Sequence, residues 1–103
     1  MNWKISFLDE AIDDFSNLDH SQQIEVAKVL DKVKTNPLPL QEGGYGKPLG
    51  GNLAGCCKVK LKKFGIRVIY KIERVEEEMT VIVIGFRKDF EVYKIAEKRI
   101  KDT

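Results

Sequence analysis

Trp3, Ile5 and Phe7 alternate with polar neighbours at the start of the chain, the two-residue period of a strand with one buried face. From about Leu8 to Asn17 the period lengthens, and Ala11, Ile12, Phe15 and Leu18 fall three and four apart, which predicts an amphipathic helix. A second helix is expected after Ser21, its N-cap, with Ile24, Ala27 and Leu30 flanked by Val26, Val29 and Val33. Asn36-Pro37 closes it, because a residue before proline avoids helical geometry. Pro37 to Gly55 is rich in proline and glycine and reads as a loop. Three runs rich in Val, Ile and Tyr follow, Cys57 to Lys62, Ile66 to Glu73 and Met79 to Phe86, with short connections that predict an antiparallel meander. Asp89 to Lys101 places Val92, Tyr93, Ala96 and Ile100 on one helical face. The expected fold is α+β: a small, mainly antiparallel sheet with an N-terminal helical hairpin and a C-terminal helix, all on one face, in a single domain over residues 1–103.

Composition narrows the class. The chain has 103 residues, 43% of them hydrophobic, enough for one core without staples. No apolar run approaches the roughly 20 residues of a membrane span, and the first residues lack a signal-peptide pattern, so a cytoplasmic protein with no membrane association is expected. Cys56 and Cys57 are the only cysteines and adjacent, which argues against a disulfide framework or a cysteine-based metal site.

Charge adds more than its net value of +2 suggests. Asp9, Glu10, Asp13, Asp14, Asp19, Glu25 and Asp31 face only Lys4 and Lys28 in the first 31 residues, leaving the remainder strongly basic. Gly43 to Lys71 carries Lys47, Lys58, Lys60, Lys62, Lys63, Arg67 and Lys71 with no acid, a field suited to a polyanion or simply to a solvated face. Strand alternation sorts these cations. With Cys57, Val59 and Leu61 on one side, Lys58 and Lys60 lie on the other, about 6.6 Å apart. Arg67 opposes Ile66, Val68 and Tyr70 and joins them; Arg87, grouped by parity with Val81, Val83 and Gly85, is permitted to do so. Tyr93 reads either as a core residue with a wet hydroxyl or as the edge of this cluster.

Other chemistries lack residues. His20 is the only histidine, the carboxylates are spread along the hairpin, and no metal site or cofactor is expected. Gly44, Gly46 and Gly50 miss the dinucleotide spacing, and Gly46-Lys47 runs into Pro48 where a phosphate-binding loop needs Ser or Thr.

The stretches Lys47-Pro48-Leu49-Gly50-Gly51-Asn52-Leu53-Ala54-Gly55, Cys56-Cys57-Lys58-Val59-Lys60-Leu61 and Gly65-Ile66-Arg67-Val68-Ile69-Tyr70 resemble the central signature of the RelE/ParE toxin superfamily of bacterial type II toxin–antitoxin systems, and Ile84 to Tyr93 resembles its final strand and tail. The resemblance runs nearly end to end. It implies an mRNA endonuclease acting in the ribosomal A site, with Lys58, Lys60, Arg67, Arg87 and Tyr93 as catalytic residues and an antitoxin protein as partner in a hetero-oligomer. Lys47, Lys62, Lys63 and Lys88 are expected to contact RNA. The alternatives are a gyrase-inhibiting toxin on the same scaffold and a non-catalytic toxin-like binding module. Cys56-Cys57 departs from relatives that often carry an aromatic there.

Such an endonuclease cleaves without metal, through the RNA's own 2'-hydroxyl. Arg67 and Arg87 suit phosphorane and leaving-group charge, Tyr93 a base, and a lysine must be the general base. Lys60 is favoured, with Lys58 on the phosphate. Two cations about 7 Å apart repel by roughly 2.4 kcal/mol at an effective dielectric near 20, so two such neighbours bring a lysine from about 10.4 toward about 7 to 8.

Overall fold

The computed structural model describes residues 2–86 and 91–102. Strand β1 (Lys4–Phe7) leads directly into helix α1 (Asp9–Ser16) and helix α2 (His20–Val33). After a loop come β2 (Lys47–Pro48), β3 (Cys56–Leu61), β4 (Ile66–Glu73), β5 (Glu78–Phe86) and helix α3 (Val92–Lys101). The five strands form one sheet in the order β1-β5-β4-β3-β2. β3, β4 and β5 are the expected meander, and β1 lies parallel to β5 with Lys4 opposite Glu78 and Phe7 opposite Val81. The β-α-α-β-β-β-α order read from the sequence is present, with the two-residue β2 as an addition inside the loop. No helix among the described residues is long and apolar enough to cross a membrane.

The helices do not share one face of the sheet, as the sequence reading had them. One core lies between the hairpin and the sheet, where Ala11, Leu18, Val26, Leu30 and Val33 meet Cys57, Val68, Tyr70, Met79, Val81 and Ile84. A second lies on the opposite face, where Val92 and Ala96 of α3 meet Leu53, Cys56, Ile69, Ile82 and Val83. β5 can serve both because its alternation is broken. Ile69 pairs with Val83 and Tyr70 with Val81, so Ile82 is an extra residue at a bulge. Met79 and Val81 face the hairpin before it, Ile84 and Phe86 after it, and Ile82 and Val83 face α3. The strict alternation that grouped Val81 with Val83 is therefore wrong.

Local details also differ. α2 is capped by Asp19, not Ser21. The Asp19 carboxylate accepts from Gln22 N–H at 2.9 Å, the Gln22 side chain accepts from Asp19 N–H at 3.0 Å, and the Ser21 hydroxyl donates to Asp19 at 2.8 Å. Ile12 and Ile24 are 49% and 41% exposed and Ala27 is also exposed, so the buried stripe of the hairpin is narrower than the apolar pattern and runs through Ala11, Val26, Leu30 and Val33. Glu78, expected in the acidic turn, begins β5.

The loop between α2 and β3 is tied to the sheet from beneath. Tyr70 is fully buried and its hydroxyl donates to the Pro37 carbonyl at 2.7 Å. Gly46 lies directly over that hydroxyl and over the Cys57 side chain, both of which a Cβ at this position would overlap. Gly46→Ala should cost about 1–3 kcal/mol in denaturant unfolding. Gly50→Ala, where a Cβ meets nothing within 4 Å, should leave the midpoint nearly unchanged.

Candidate nucleic-acid interface

On the α3 side of the sheet the strand registers place Lys47 of β2 opposite Lys58 of β3, and Lys60 of β3 opposite Arg67 of β4. Directly paired residues share a face, so four cations gather on one side of three adjacent strands. Beyond Arg67 the register continues to Gly85 of β5. A Cβ on Gly85 would stand 2.9 Å from Val92 Cγ2, so the bare glycine lets the first turn of α3 settle against the sheet. Tyr93, the next residue, is thereby lowered onto the cations.

Lys58 Nζ donates to Tyr93 Oη at 2.7 Å and Arg67 Nη1 donates to the same oxygen at 3.2 Å. Both cations also lie against the ring, at 5.2 and 5.8 Å from its centroid. With two donors on the phenol oxygen, its own hydrogen is left to donate. Arg67 Nε is buried with no hydrogen-bond partner among the described residues. The residue as a whole is half-buried, with the rest of its guanidinium turned toward Tyr93.

Titration follows from this crowding. Burial alone raises the Tyr93 phenol, but the hydrogen bond and charge of Lys58, with the charges of Arg67 and Lys60, outweigh it and hold the phenol below its ordinary value. Lys60 is lowered, first by the like charge of Lys58, then by Lys47, by desolvation and by Arg67, with Tyr93 acting weakly the other way. Burial pushes both thiols up, Cys57 to about 11, so neither cysteine is a ready nucleophile.

Of the residues singled out from sequence, Lys58, Lys60, Arg67 and Tyr93 come together, and Lys47 joins them through β2. Lys62 lies at the β3–β4 turn beside a shallow cleft of about 200 Å³ lined also by Lys60, Gly65, Ile66 and Arg67. Lys63 is exposed and packs its ammonium over Phe64. Arg87 and Lys88 fall outside the described residues. Gly85 was not singled out, although a lone glycine inside a Val/Ile-rich strand is the usual sign of close approach. Among the described residues no group of three or more His, Cys, Asp or Glu side chains is gathered to hold a metal ion.

No family model matches the chain. A curated RelE-like toxin protein of Escherichia coli is 28% identical over 102 residues, spanning 98% of this chain and all of that protein. Among solved structures, an arginine-substituted variant of the Escherichia coli toxin RelE in the free state aligns with a TM-score of 0.81 and 27% identity, covering 97% of this chain and 99% of that one. The same kind of variant in complex with a peptide of the antitoxin RelB aligns at 0.73 and 25% identity, over 93% and 95% of the two chains. In sequence along its whole length and in fold, this chain is similar to RelE toxins of the RelE/ParE superfamily.

Proposed function

We propose that the chain is the toxin of a type II toxin–antitoxin pair and an endoribonuclease that cuts mRNA on the ribosome without a metal ion. The observation that carries this reading is the convergence of Lys58 and Arg67 on Tyr93 Oη, with Lys60 beside them. Such a cluster has spare donors for a phosphate, and Tyr93 supplies a ring at its edge.

In the proposed reaction the 2'-hydroxyl attacks the adjacent phosphorus and the 5'-oxygen leaves, giving a 2',3'-cyclic phosphate and a 5'-hydroxyl. Neutral Lys60 takes the 2'-proton. Its lowered affinity for a proton, set first by Lys58 and then by Lys47, raises the fraction available as base near neutral pH. Arg67 brings the terminal nitrogens of its guanidinium to the phosphorane. Lys58 holds a phosphate oxygen, and Tyr93, anchored by two cations, stacks on a base. Arg87 is assigned to the leaving-group side by resemblance alone. Cations so exposed remain well hydrated in the free protein, so the ribosome is expected to supply substrate alignment and a drier site. The antitoxin is expected to bring an acidic or amphipathic segment to this face or to α3.

Lys60→Arg keeps the charge and removes the base. Single-turnover cleavage on programmed ribosomes should fall about 10²-fold or more while ribosome binding persists. Arg67→Ala should lower cleavage by about 10²–10³-fold. Products should carry 5'-hydroxyl ends, and gyrase supercoiling should be unaffected; gyrase poisoning without mRNA cleavage would select the other branch of the superfamily.

Lys58→Met should raise the Lys60 pKa, because a like charge is removed, and should also raise the Tyr93 phenol, because a donor and a cation are lost. Lysine-selective NMR and ultraviolet titration read the two shifts. With Lys60 as base, the acidic limb of the pH–rate profile should move to higher pH in this variant.

A further inference from the structure

Tyr93 is held in the site by a helix that has little hold of its own. α3 has ten residues, too few to persist alone in water, and its fully buried side chains are the small Val92 and Ala96. Tyr93 and Ile100 pack partly buried against the same core, and contacts so shallow fix the height of a helix above a sheet better than its rotation about its own axis. Tyr93 bonds Lys58 and Arg67 on one flank of α3. On the other flank, six residues and about 9 Å along the axis, Arg99 makes three bonds. Its Nη1 donates to Asp14 Oδ2 at 2.7 Å and to the Ile82 carbonyl at 2.9 Å, and its Nη2 donates to Asp14 Oδ1 at 3.3 Å. Asp14 Oδ2 in turn accepts from Ile84 N–H at 3.0 Å.

The placement of this pair is specific. β1 pairs with β5 only as far as Val81, so among the described residues Ile82 and Ile84 belong to a stretch of β5 that lacks a strand on that side. α1 belongs to the hairpin layer and α3 to the opposite layer. Asp14 and Arg99 therefore join the two layers across the open strand edge, with their side chains only 20% and 16% exposed. A shielded, two-pronged Arg–carboxylate pair with bonds to fixed backbone has defined geometry, unlike a surface ion pair.

We infer that Asp14 and Arg99 are positioning residues for Tyr93: the clamp on one flank of α3 sets the roll of the helix that brings the phenol oxygen between Lys58 and Arg67. The inference rests on the proposed role of Tyr93 in RNA cleavage only for its kinetic consequence, not for its structural one.

The test uses Asp14→Asn, Arg99→Gln and the double variant, each beside its Tyr93→Phe counterpart so that the Tyr93 phenol is read by difference in an ultraviolet titration. Asp19→Ala, which removes the α2 cap remote from α3, serves as a control for lost stability. In both single variants the phenol should titrate higher, toward an ordinary tyrosine. The double variant should shift no further than either, because the two residues act as a unit. Single-turnover cleavage should slow about ten- to a hundredfold with ribosome affinity retained. Asp19→Ala should leave the phenol unmoved. If Asp14→Asn fails to fold, Arg99→Lys, which keeps the charge but loses the fork, should give the same upward shift. A Tyr93 titration identical to wild type in folded clamp variants overturns the inference. Should the wild-type protein cut no RNA, the titration still decides it, and only the endonuclease reading is lost.

Discussion

Two cations share one neutral oxygen. Lys58 and Arg67, both bonded to Tyr93 Oη, have donor nitrogens no more than about 6 Å apart, and the register adds Lys60 and Lys47 on the same face. At an effective dielectric near 20 each pair at that distance repels by about 2–3 kcal/mol before screening, so the arrangement must be imposed by something stronger. The other face of the same strands supplies it. Cys57, Val68 and Tyr70 are sealed beneath the hairpin, and their pairing fixes where the cations stand. The site is thus charged on a scaffold whose stability comes from the opposite face, and its cations stand in a repulsion that the fold holds in place.

This division explains which parts of the molecule were legible in the sequence. Lys58, Lys60 and Arg67 alternate cleanly with Cys57, Val59, Leu61, Ile66 and Val68, and strand parity placed them together with no knowledge of the fold. The same reasoning failed on β5, because Val81 to Ile84 are four apolar residues in a row and nothing in such a run marks the bulge at Ile82. Reading that strand as strictly alternating set Val81 beside Val83 and Ile82 beside Ile84, whereas Val81 and Ile84 pack under the hairpin and Ile82 and Val83 under α3. Ile12, Ile24 and Ala27 misled in a simpler way, since an apolar residue next to a buried stripe has the same composition whether or not the stripe reaches it. The Asp19 cap lost to Ser21 because both are good caps and only backbone geometry chooses between them. Asp14 and Arg99 carry no signal at all: their partnership spans 85 positions and is made through a strand edge.

The superfamily relationship and the geometry bear on different questions. Likeness to RelE structures in fold and sequence says what kind of molecule this is. It does not say why Tyr93 should stand where it does, and for that the small details of this chain matter: the missing side chain at Gly85, the small contacts of Val92 and Ala96, and the ordering of the long loop by Gly46 and Tyr70, which carries Lys47 to the edge of β3.

The clamp over β5 has a further consequence, for association between copies of the chain. A strand edge with free carbonyl and amide groups is a template on which another chain can extend the sheet. Beyond the end of β1, β5 offers such a template, and its residues there, Ile82 to Ile84, are strongly β-forming and apolar. Arg99 covers the Ile82 carbonyl and Asp14 covers the Ile84 amide, so the hydrogen bonds that would recruit a neighbouring strand are already made to side chains. The pair stands in for the residues by which β1 falls short, and it closes with two side chains an edge that would otherwise invite intermolecular sheet growth between copies of the chain.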